Sequence, residues 1–424
     1  MNSKKAKELL EMHGMSPERV DVLECAVRMR KDMELGLAGS RATLPMIPTY
    51  LRNDGEIRPG LSAIVVDAGG TNFRCGVAEF GESGCELHDV TKRHMPGIEK
   101  SATWDEFISF VADSVMPIAD RSDRIGFCFS YSADITPEID GRVIRIDKEV
   151  VITGCEGQLV GESLTRELSR RGVKGKRVFI INDTAAVLLG GSAKLDKSRY
   201  GGFIGQVSGT GTNTCCILPL RRITKLGRDE DTRVIVNLES GTYDGLPRGD
   251  FDLELDALSN NPGEKLMEKL TAGVYLGELC RLAISSAADE GLLSAETAER
   301  VRALGRFDSA VVDAWACGEG LDGVCAAEGD ADFIRTLCRT LFERSARCMC
   351  VNLMAILMLT GEGTDPEKPV CICAEGSLVQ KSRCYRPALE RLLEENGALL
   401  GRHIVFNVDY ETTLPGSAAA ALLN

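Results

Sequence analysis

The sequence feature that most constrains the fold is a glycine-rich turn between two apolar runs, and it occurs twice. Residues 61–80 read LSAIVVDAGGTNFRCGVAEF, and residues 201–220 read GGFIGQVSGTGTNTCCILPL. A continuous apolar run predicts a buried strand, and two such runs joined by glycines predict a hairpin. Strand-like and helical segments follow each hairpin. The pattern therefore predicts an α/β protein of two similar halves, each with a sheet opened by a glycine hairpin.

Further strands are predicted where short apolar runs recur, at residues 124–132, 176–183, 232–239, 370–379 and 403–410. Helical periodicity is found at residues 4–35, 103–115, 162–171, 184–191, 261–287, 294–304, 330–359, 385–397 and 417–423. In the first of these helices, Ser16 followed by Pro17 is typical of a helix start. We predict an N-terminal domain of residues 1–197, including the leading helices, and a C-terminal domain of residues 198–424 whose last helix returns to the first domain.

The charge balance limits the partners of this chain. The formal net charge is -13, which argues against nucleic acid or an anionic membrane as the main partner. The sixteen cysteines include no CxxC pair, so we expect buried free thiols in a reducing compartment. The charged N-terminus lacks the apolar core of a signal peptide, and the longest apolar stretch, residues 348–359, is too short to span a bilayer. A cytoplasmic location is expected.

The first glycine loop, residues 67–74, has the composition of a phosphate-binding turn. Its glycines permit close approach of a ligand to the backbone, and its polar side chains add donors. The residues expected to contact phosphate are Gly69, Gly70, Thr71, Asn72 and Arg74. Asp67 ends the preceding strand and is expected to bind Mg²⁺ through a water molecule. The alternative is an ordinary Gly-Gly hairpin with a capping aspartate.

The second glycine loop, residues 208–213, alternates glycines with hydroxyl side chains, and Gly209, Thr210 and Gly211 are its expected phosphate contacts. Alone, it could be a simple turn. Two such loops on two halves could bind one polyphosphate from both sides of a cleft. Other nucleotide motifs are excluded: there is no GxxxxGK[ST], and the GxGxxG match at residues 318–323 follows no predicted strand.

Asp183 is the strongest candidate for a catalytic base. It follows the apolar strand VFII and begins a helix, a position where α/β proteins place ligand chemistry. A carboxylate there can accept the proton of an attacking hydroxyl group during phosphoryl transfer. From position alone, a helix N-cap is an equally good interpretation of Asp183.

Several motifs, taken together and in this order, resemble the hexokinase/glucokinase family over nearly the whole chain. They are MELGLAGSRATLPMIPTYLRNDG, DAGGTNFR, FIINDTAAVL, SGTGTN, VNLESGTYDG and NPGEKLMEKLTAGVYLGELCRL. The resemblance implies a two-domain actin-like ATPase (ribonuclease H-like) fold with a ligand cleft between the domains. It also implies transfer of the γ-phosphate of ATP, as its Mg²⁺ complex, to a hexose, with glucose and its 6-hydroxyl favoured.

The resemblance also implies roles for individual residues. Asp183 would be the general base, and the sugar would be bound by Ser130, Lys148, Asn182, Asp183, Asn213, Glu239 and Glu268. Ser377 and Gly416 would contact the nucleotide. Alternatives remain for two of these positions. Glu268, with lysines nearby, could lie on a solvated helix face, and Asn213 could be a turn residue.

The chain departs from the family pattern beside the sugar. The Ser-Phe-Pro motif of the family is Ser130-Tyr131-Ser132 here, and its Thr-Lys pair falls on Asp147-Lys148. Because of these differences, two alternative functions stay open: a catalytically impaired sugar-binding regulator, and a kinase for an amino or N-acyl hexose. A monomer or homodimer is expected.

Overall fold

A computed structural model describes residues 2–70, 72–146 and 150–424. In those residues the strands are β1 (Ile47–Pro48), β2 (Leu61–Ala68), β3 (Asn72–Gly81), β4 (Gly84–His94), β5 (Ala102–Thr103), β6 (Arg124–Phe129), β7 (Ser132–Ile135), β8 (Gly141–Arg145), β9 (Ile152–Thr153), β10 (Arg177–Ile181), β11 (Gly202–Ser208), β12 (Thr212–Pro219), β13 (Arg233–Asn237), β14 (Val370–Glu375) and β15 (Ile404–Val408). The helices are α1 (Asn2–Met12), α2 (Val22–Leu37), α3 (Trp104–Val115), α4 (Val160–Arg170), α5 (Asp183–Ala193), α6 (Asp250–Leu258), α7 (Leu266–Thr271), α8 (Gly273–Asp289), α9 (Ala295–Ala303), α10 (Ser309–Ala316), α11 (Glu328–Thr360), α12 (Ser377–Lys381), α13 (Tyr385–Leu400) and α14 (Thr413–Leu423).

Two sheets with the same central pattern confirm the predicted α/β class. The first has the strand order β10-β6-β2-β3-β4, and the second has the order β1-β13-β12-β11-β14-β15. In the first sheet, the glycine hairpin is β2/β3, and β2, β6 and β10 run parallel to one another. In the second sheet, the hairpin is β11/β12, and β11, β14 and β15 run parallel. Because the three parallel strands end at the same edge, the residues that follow them lie together.

Two helices link the sheets crosswise. Helix α5 follows β10 but contacts β11 and β14, whereas α14 follows β15 but contacts β2 and β6. The helices contact each other, and Gly416 lies at this crossing, where a side-chain carbon would collide with the carbonyl oxygen of Ala186. Glycine therefore permits the close approach.

The segment before β2, which was predicted to belong to the N-terminal domain, packs against the C-terminal half. Helices α1 and α2 contact α11, and β1 pairs with β13 of the second sheet. Their apolar side chains belong to the core on that side of the molecule. The residues before β2 therefore lie with the C-terminal half, because α11 covers the apolar stripe of α2. The boundary at 197/198 itself stays a prediction.

Two predicted helices are interrupted. The helix expected over residues 4–35 breaks around a short 3₁₀ turn at Pro17–Arg19. Ser16 precedes that turn without a side-chain cap, and Asp21 instead caps α2 by accepting a hydrogen bond from the Glu24 N–H at 2.9 Å. The helix expected over 261–287 begins only at Leu266 and divides at Ala272 into α7 and α8.

The cysteines are all free thiols, and twelve of the sixteen are buried. Cys317 is exposed, and its sulfur lies 3.4 Å from that of Cys384. Within the part of the chain that the structure describes, no helix is both long enough and apolar enough to cross a membrane.

Candidate functional site

The first sheet brings three candidate residues to one edge. Asp67 lies near the end of β2, Ser130 directly follows β6, and Asp183 follows β10. The strand register aligns Asp67 with Cys128 and Cys128 with Ile181. Burial raises the pKa of Asp67, Arg74 opposes this shift, and the negative charge of Asp183 adds to it. Asp67 and Asp183 therefore lie at the same edge of the first sheet although they are far apart in the chain.

The first glycine loop is closed at its base by an ion pair. Asp67 Oδ2 accepts a hydrogen bond from Arg74 Nε at 2.9 Å and lies 2.8 Å from Arg74 Nη2. Above this pair, the Gly69 N–H donates to the Asn72 carbonyl oxygen at 3.0 Å. Arg74, predicted as a phosphate ligand, is thus engaged with Asp67 and stabilises the hairpin. Gly70 lies at the tip, and Thr71 lies outside the described residues.

The second glycine loop is held by two neighbouring segments. The Gly273 N–H at the start of α8 donates to the Gly209 carbonyl oxygen at 2.8 Å. On the other side, Gly376 has φ +122, and a side-chain carbon there would collide with the Ser208 carbonyl oxygen. Ser377 lies beside Gly209, and its contact with the nucleotide stays a prediction. Thr210 is exposed at the loop tip.

A cavity of about 360 Å³ opens beside this loop. It is lined by Val274, Arg306, Phe307, Asp308 and Ser309. Sequence reasoning did not select these residues: Val274 lies in α8, Ser309 begins α10, and residues 306–308 connect α9 to α10 without a nucleotide motif. Gly273, which precedes Val274, binds the Gly209 carbonyl oxygen, so the cavity adjoins the second glycine loop.

A polar cluster of Asn213, Asn237 and Glu239 lies at the ends of β12 and β13. Asn213 Nδ2 donates to Asn237 Oδ1 at 2.7 Å and to Glu239 Oε1 at 3.3 Å, and Asn237 Nδ2 donates to Glu239 Oε1 at 2.6 Å. The Asn213 Oδ1 atom accepts from the N–H groups of Thr214 and Ser240, which fixes its amide. Asn213 is therefore more than a turn residue.

Glu239 is the charged member of this cluster; it is half-buried and has a backbone φ of 55°. Burial raises its pKa, and the hydrogen bond from Asn237 opposes the shift. The charges of Asp183 and Glu268 raise the pKa further, while Lys265 lowers it. Sequence reasoning missed Asn237, although a signal existed: it lies two residues before Glu239 at the end of the same strand.

Glu268 faces the second glycine loop. Its Oε2 atom accepts a hydrogen bond from the Thr212 N–H at 3.1 Å, and its Oε1 atom lies 4.0 Å from Lys265 Nζ. The next residue, Lys269, is buried elsewhere and binds Asp256 at 2.5 Å. The solvated-face interpretation of Glu268 is therefore wrong, because its side chain is only 17% exposed and bonds to the second glycine loop.

The helix cap at α5 is Asn182 and not Asp183. Asn182 Oδ1 accepts a hydrogen bond from the Thr184 N–H at 2.9 Å. Asp183 Oδ1 accepts from the N–H and hydroxyl of Thr184 at 2.7 and 3.2 Å. Among the described residues, none donates a hydrogen bond to Asp183 Oδ2.

Three predicted residues stand apart from this arrangement. Lys148 and its neighbour Asp147 lie outside the described residues. Gly416 is buried at the crossing of α5 and α14 and supports packing there. Its predicted contact with the nucleotide stays a prediction.

The paired sheets, with a glycine hairpin in each, have the fold of the actin-like ATPase class. Two hexokinase family models match residues 5–193 and 203–423, so the chain belongs to the hexokinase family.

Named relatives include Hexokinase-1 of Homo sapiens, 29% identical over 94% of this chain and 48% of the relative. Hexokinase-1 of Schizosaccharomyces pombe is 29% identical over 78% of this chain and 73% of the relative. The chain thus spans about half the length of the mammalian relatives. The solved hexokinase from Schistosoma mansoni, complexed with glucose, has a TM-score of 0.80 at 22% identity and covers 99% of this chain and 98% of that one. At this identity, the likeness shows the fold.

Proposed function

We propose that this chain is an ATP-dependent hexose kinase that phosphorylates glucose or a close relative at the 6-hydroxyl. The single observation that carries the proposal is the position of Asp183. It follows β10 at the sheet edge where Asp67 and Ser130 also lie, and its negative charge contributes to the raised pKa of both Asp67 and Glu239. A base in this position would lie between a phosphate site and a group of side chains suited to a polyol.

The sugar would bind to the polar cluster and Glu268. Carboxylate and amide groups can accept from and donate to hydroxyl groups, and a site built on such pairs rejects analogues that lack the matching hydroxyl. Asn182, Ser130 and Lys148 would complete the site. Since Asn182 Oδ1 is used in capping, its amide NH₂ is the group that would contact the sugar.

Asp183 would act through Oδ2. The sugar hydroxyl oxygen forms a bond to the γ-phosphorus, the bond from phosphorus to the bridging oxygen of ADP breaks, and the hydroxyl proton passes to Asp183 Oδ2. Thr184 holds the other carboxylate oxygen, which orients the base. Positioning and charge stabilisation account for most catalysis in phosphoryl transfer.

The two glycine loops would bind the polyphosphate with their backbone N–H groups, and the cavity beside α8 would take the rest of the nucleotide. In the described residues, no group of three or more potential ligands could hold a metal ion. Asp67, in β2 beside the first glycine loop, would hold the Mg²⁺ ion through a water molecule, and phosphate oxygens and water would supply the other ligands. When bound, Mg²⁺ neutralises phosphate charge.

The test is ADP release from MgATP with glucose, mannose, fructose and N-acetylglucosamine. Asp183→Ala should lower turnover by about 10²–10⁴-fold, because a general base is lost. Asp21→Ala is the matched control, since it removes an aspartate at another helix start, remote from the cleft. Sugar binding without ADP release in the wild type would favour the sugar-binding regulator, and turnover with the N-acyl sugar alone would redefine the substrate.

A further inference from the structure

The hydroxyl group of Tyr131 contacts the first glycine loop directly. It donates a hydrogen bond to the Gly69 carbonyl oxygen at 2.5 Å. The ring is 5% exposed and packs on Phe129, with ring centroids 5.2 Å apart. Tyr131 stands where the family motif named above has phenylalanine, which has a similar ring but cannot donate this bond.

The bond restrains more than one atom. The Gly69 carbonyl and the Gly70 N–H belong to one planar trans peptide group, so they point in opposite directions. Holding the oxygen therefore fixes the direction of the Gly70 N–H, one of the loop's potential phosphate donors. Glycine residues allow many backbone conformations, and an unrestrained peptide between two of them could rotate away.

Tyr131 also lies between the two proposed substrates. The preceding residue, Ser130, is a predicted sugar ligand, and its N–H donates to the Ala68 carbonyl oxygen at 3.2 Å. The segment from Ser130 to Tyr131 thus contacts two successive residues of the first loop, Ala68 and Gly69. A sugar that orders Ser130 would also order Tyr131, and through it the Gly69–Gly70 peptide.

We propose that Tyr131 is a positioning residue that holds the Gly70 N–H toward the nucleotide phosphates and couples nucleotide binding to sugar binding. This inference rests on the proposed function. Because such coupling is reciprocal, glucose should strengthen nucleotide binding by the same factor as the nucleotide strengthens glucose binding.

The test is Tyr131→Phe, which keeps the ring and removes the hydroxyl. Tyr200→Phe is the matched control, because Tyr200 likewise packs on a phenylalanine, Phe203, at 5.4 Å between centroids. The dissociation constant of AMPPNP is measured with and without saturating glucose, together with KM for MgATP, kcat and the thermal midpoint.

In Tyr131→Phe we expect AMPPNP binding to weaken by about 2- to 10-fold, the loss typical of one hydrogen bond. The enhancement by glucose should fall toward unity, while glucose binding alone and the thermal midpoint should match Tyr200→Phe. Wild-type nucleotide affinity and KM in Tyr131→Phe would overturn the positioning role. Equal weakening with and without glucose would overturn the coupling.

These outcomes are separable from failure of the proposed function. If the wild type releases no ADP with any sugar, the kinase assignment fails. AMPPNP binding to the two tyrosine variants still tests the positioning of the loop.

Discussion

Asn237 connects the two side chains proposed to contact the sugar, and its replacement by alanine is the sharpest test of the polar cluster. The residue is 4% exposed, donates to Glu239 at 2.6 Å and accepts from Asn213 at 2.7 Å. Alanine removes both bonds. Glu239 then keeps only the longer bond from Asn213 within the cluster, and both side chains can leave the positions that a sugar requires.

The magnitude follows from the charge of Glu239. A hydrogen bond to a charged group contributes about 1.5–3 kcal/mol, and about 1.4 kcal/mol corresponds to a tenfold change in affinity. If the lost hydrogen-bond free energy destabilises only the sugar complex, glucose should bind about 10- to 100-fold more weakly. A smaller effect would mean that the substitution also destabilises the free protein.

The pH dependence gives a second readout. Burial raises the pKa of Glu239, and the Asn237 hydrogen bond opposes that rise. Sugar hydroxyls donate to the carboxylate form, so affinity should increase as the pH rises through this raised pKa. Without Asn237, the pKa should rise further, and the acid limb of the binding curve should move to higher pH. The free energy of unfolding depends on pH in the opposite direction. The contribution of Glu239 to stability is fully present below its ordinary pKa of 4.5 and is lost as the pH rises through the raised pKa.

The assay is calorimetric titration of glucose over a pH series. Asn396→Ala is the control, because Asn396 is also buried and makes one hydrogen bond, to the Leu392 carbonyl oxygen on α13. If Asn237→Ala binds glucose like the wild type, with an unchanged acid limb, the reasoning about this cluster is refuted.

Three further predictions concern the loops and the core. Gly376→Ala should raise KM for MgATP in initial-rate kinetics, since strain on the order of 1–3 kcal/mol would displace the second glycine loop. Gly401→Ala is the control: Gly401 also has a positive φ but lies in open space, so KM should not change. Glu268→Gln should keep the Thr212 contact but weaken glucose binding by about tenfold in calorimetry, because a neutral acceptor forms a hydrogen bond roughly half as strong as a charged one. Arg344→Met should destabilise the protein by about 3–5 kcal/mol in urea unfolding, because it leaves Asp252 buried without its bidentate partner. Breaking the exposed Arg300–Glu296 pair should cost at most about 1 kcal/mol.

The local sequence determined the elements that carry the site. Apolar runs interrupted by glycines predicted both hairpins, and these hairpins lie in the two sheets that confirm the α/β class. The same runs identified Asp67 and Asp183 at strand ends, and both residues lie at the same edge of the first sheet. Such predictions succeed because strand periodicity and glycine turns depend on neighbouring residues.

Only the tertiary structure decided which of these groups act together. The bonds of Glu268 to Thr212 and of Tyr131 to Gly69 join residues 56 and 62 positions apart, and neither has a local signature. The leading helices likewise pack with the C-terminal half because α11 offers them an apolar surface. A short segment of sequence specifies its own backbone pattern, but the direction of a polar side chain depends on distant groups that donate to it, accept from it or exclude water around it.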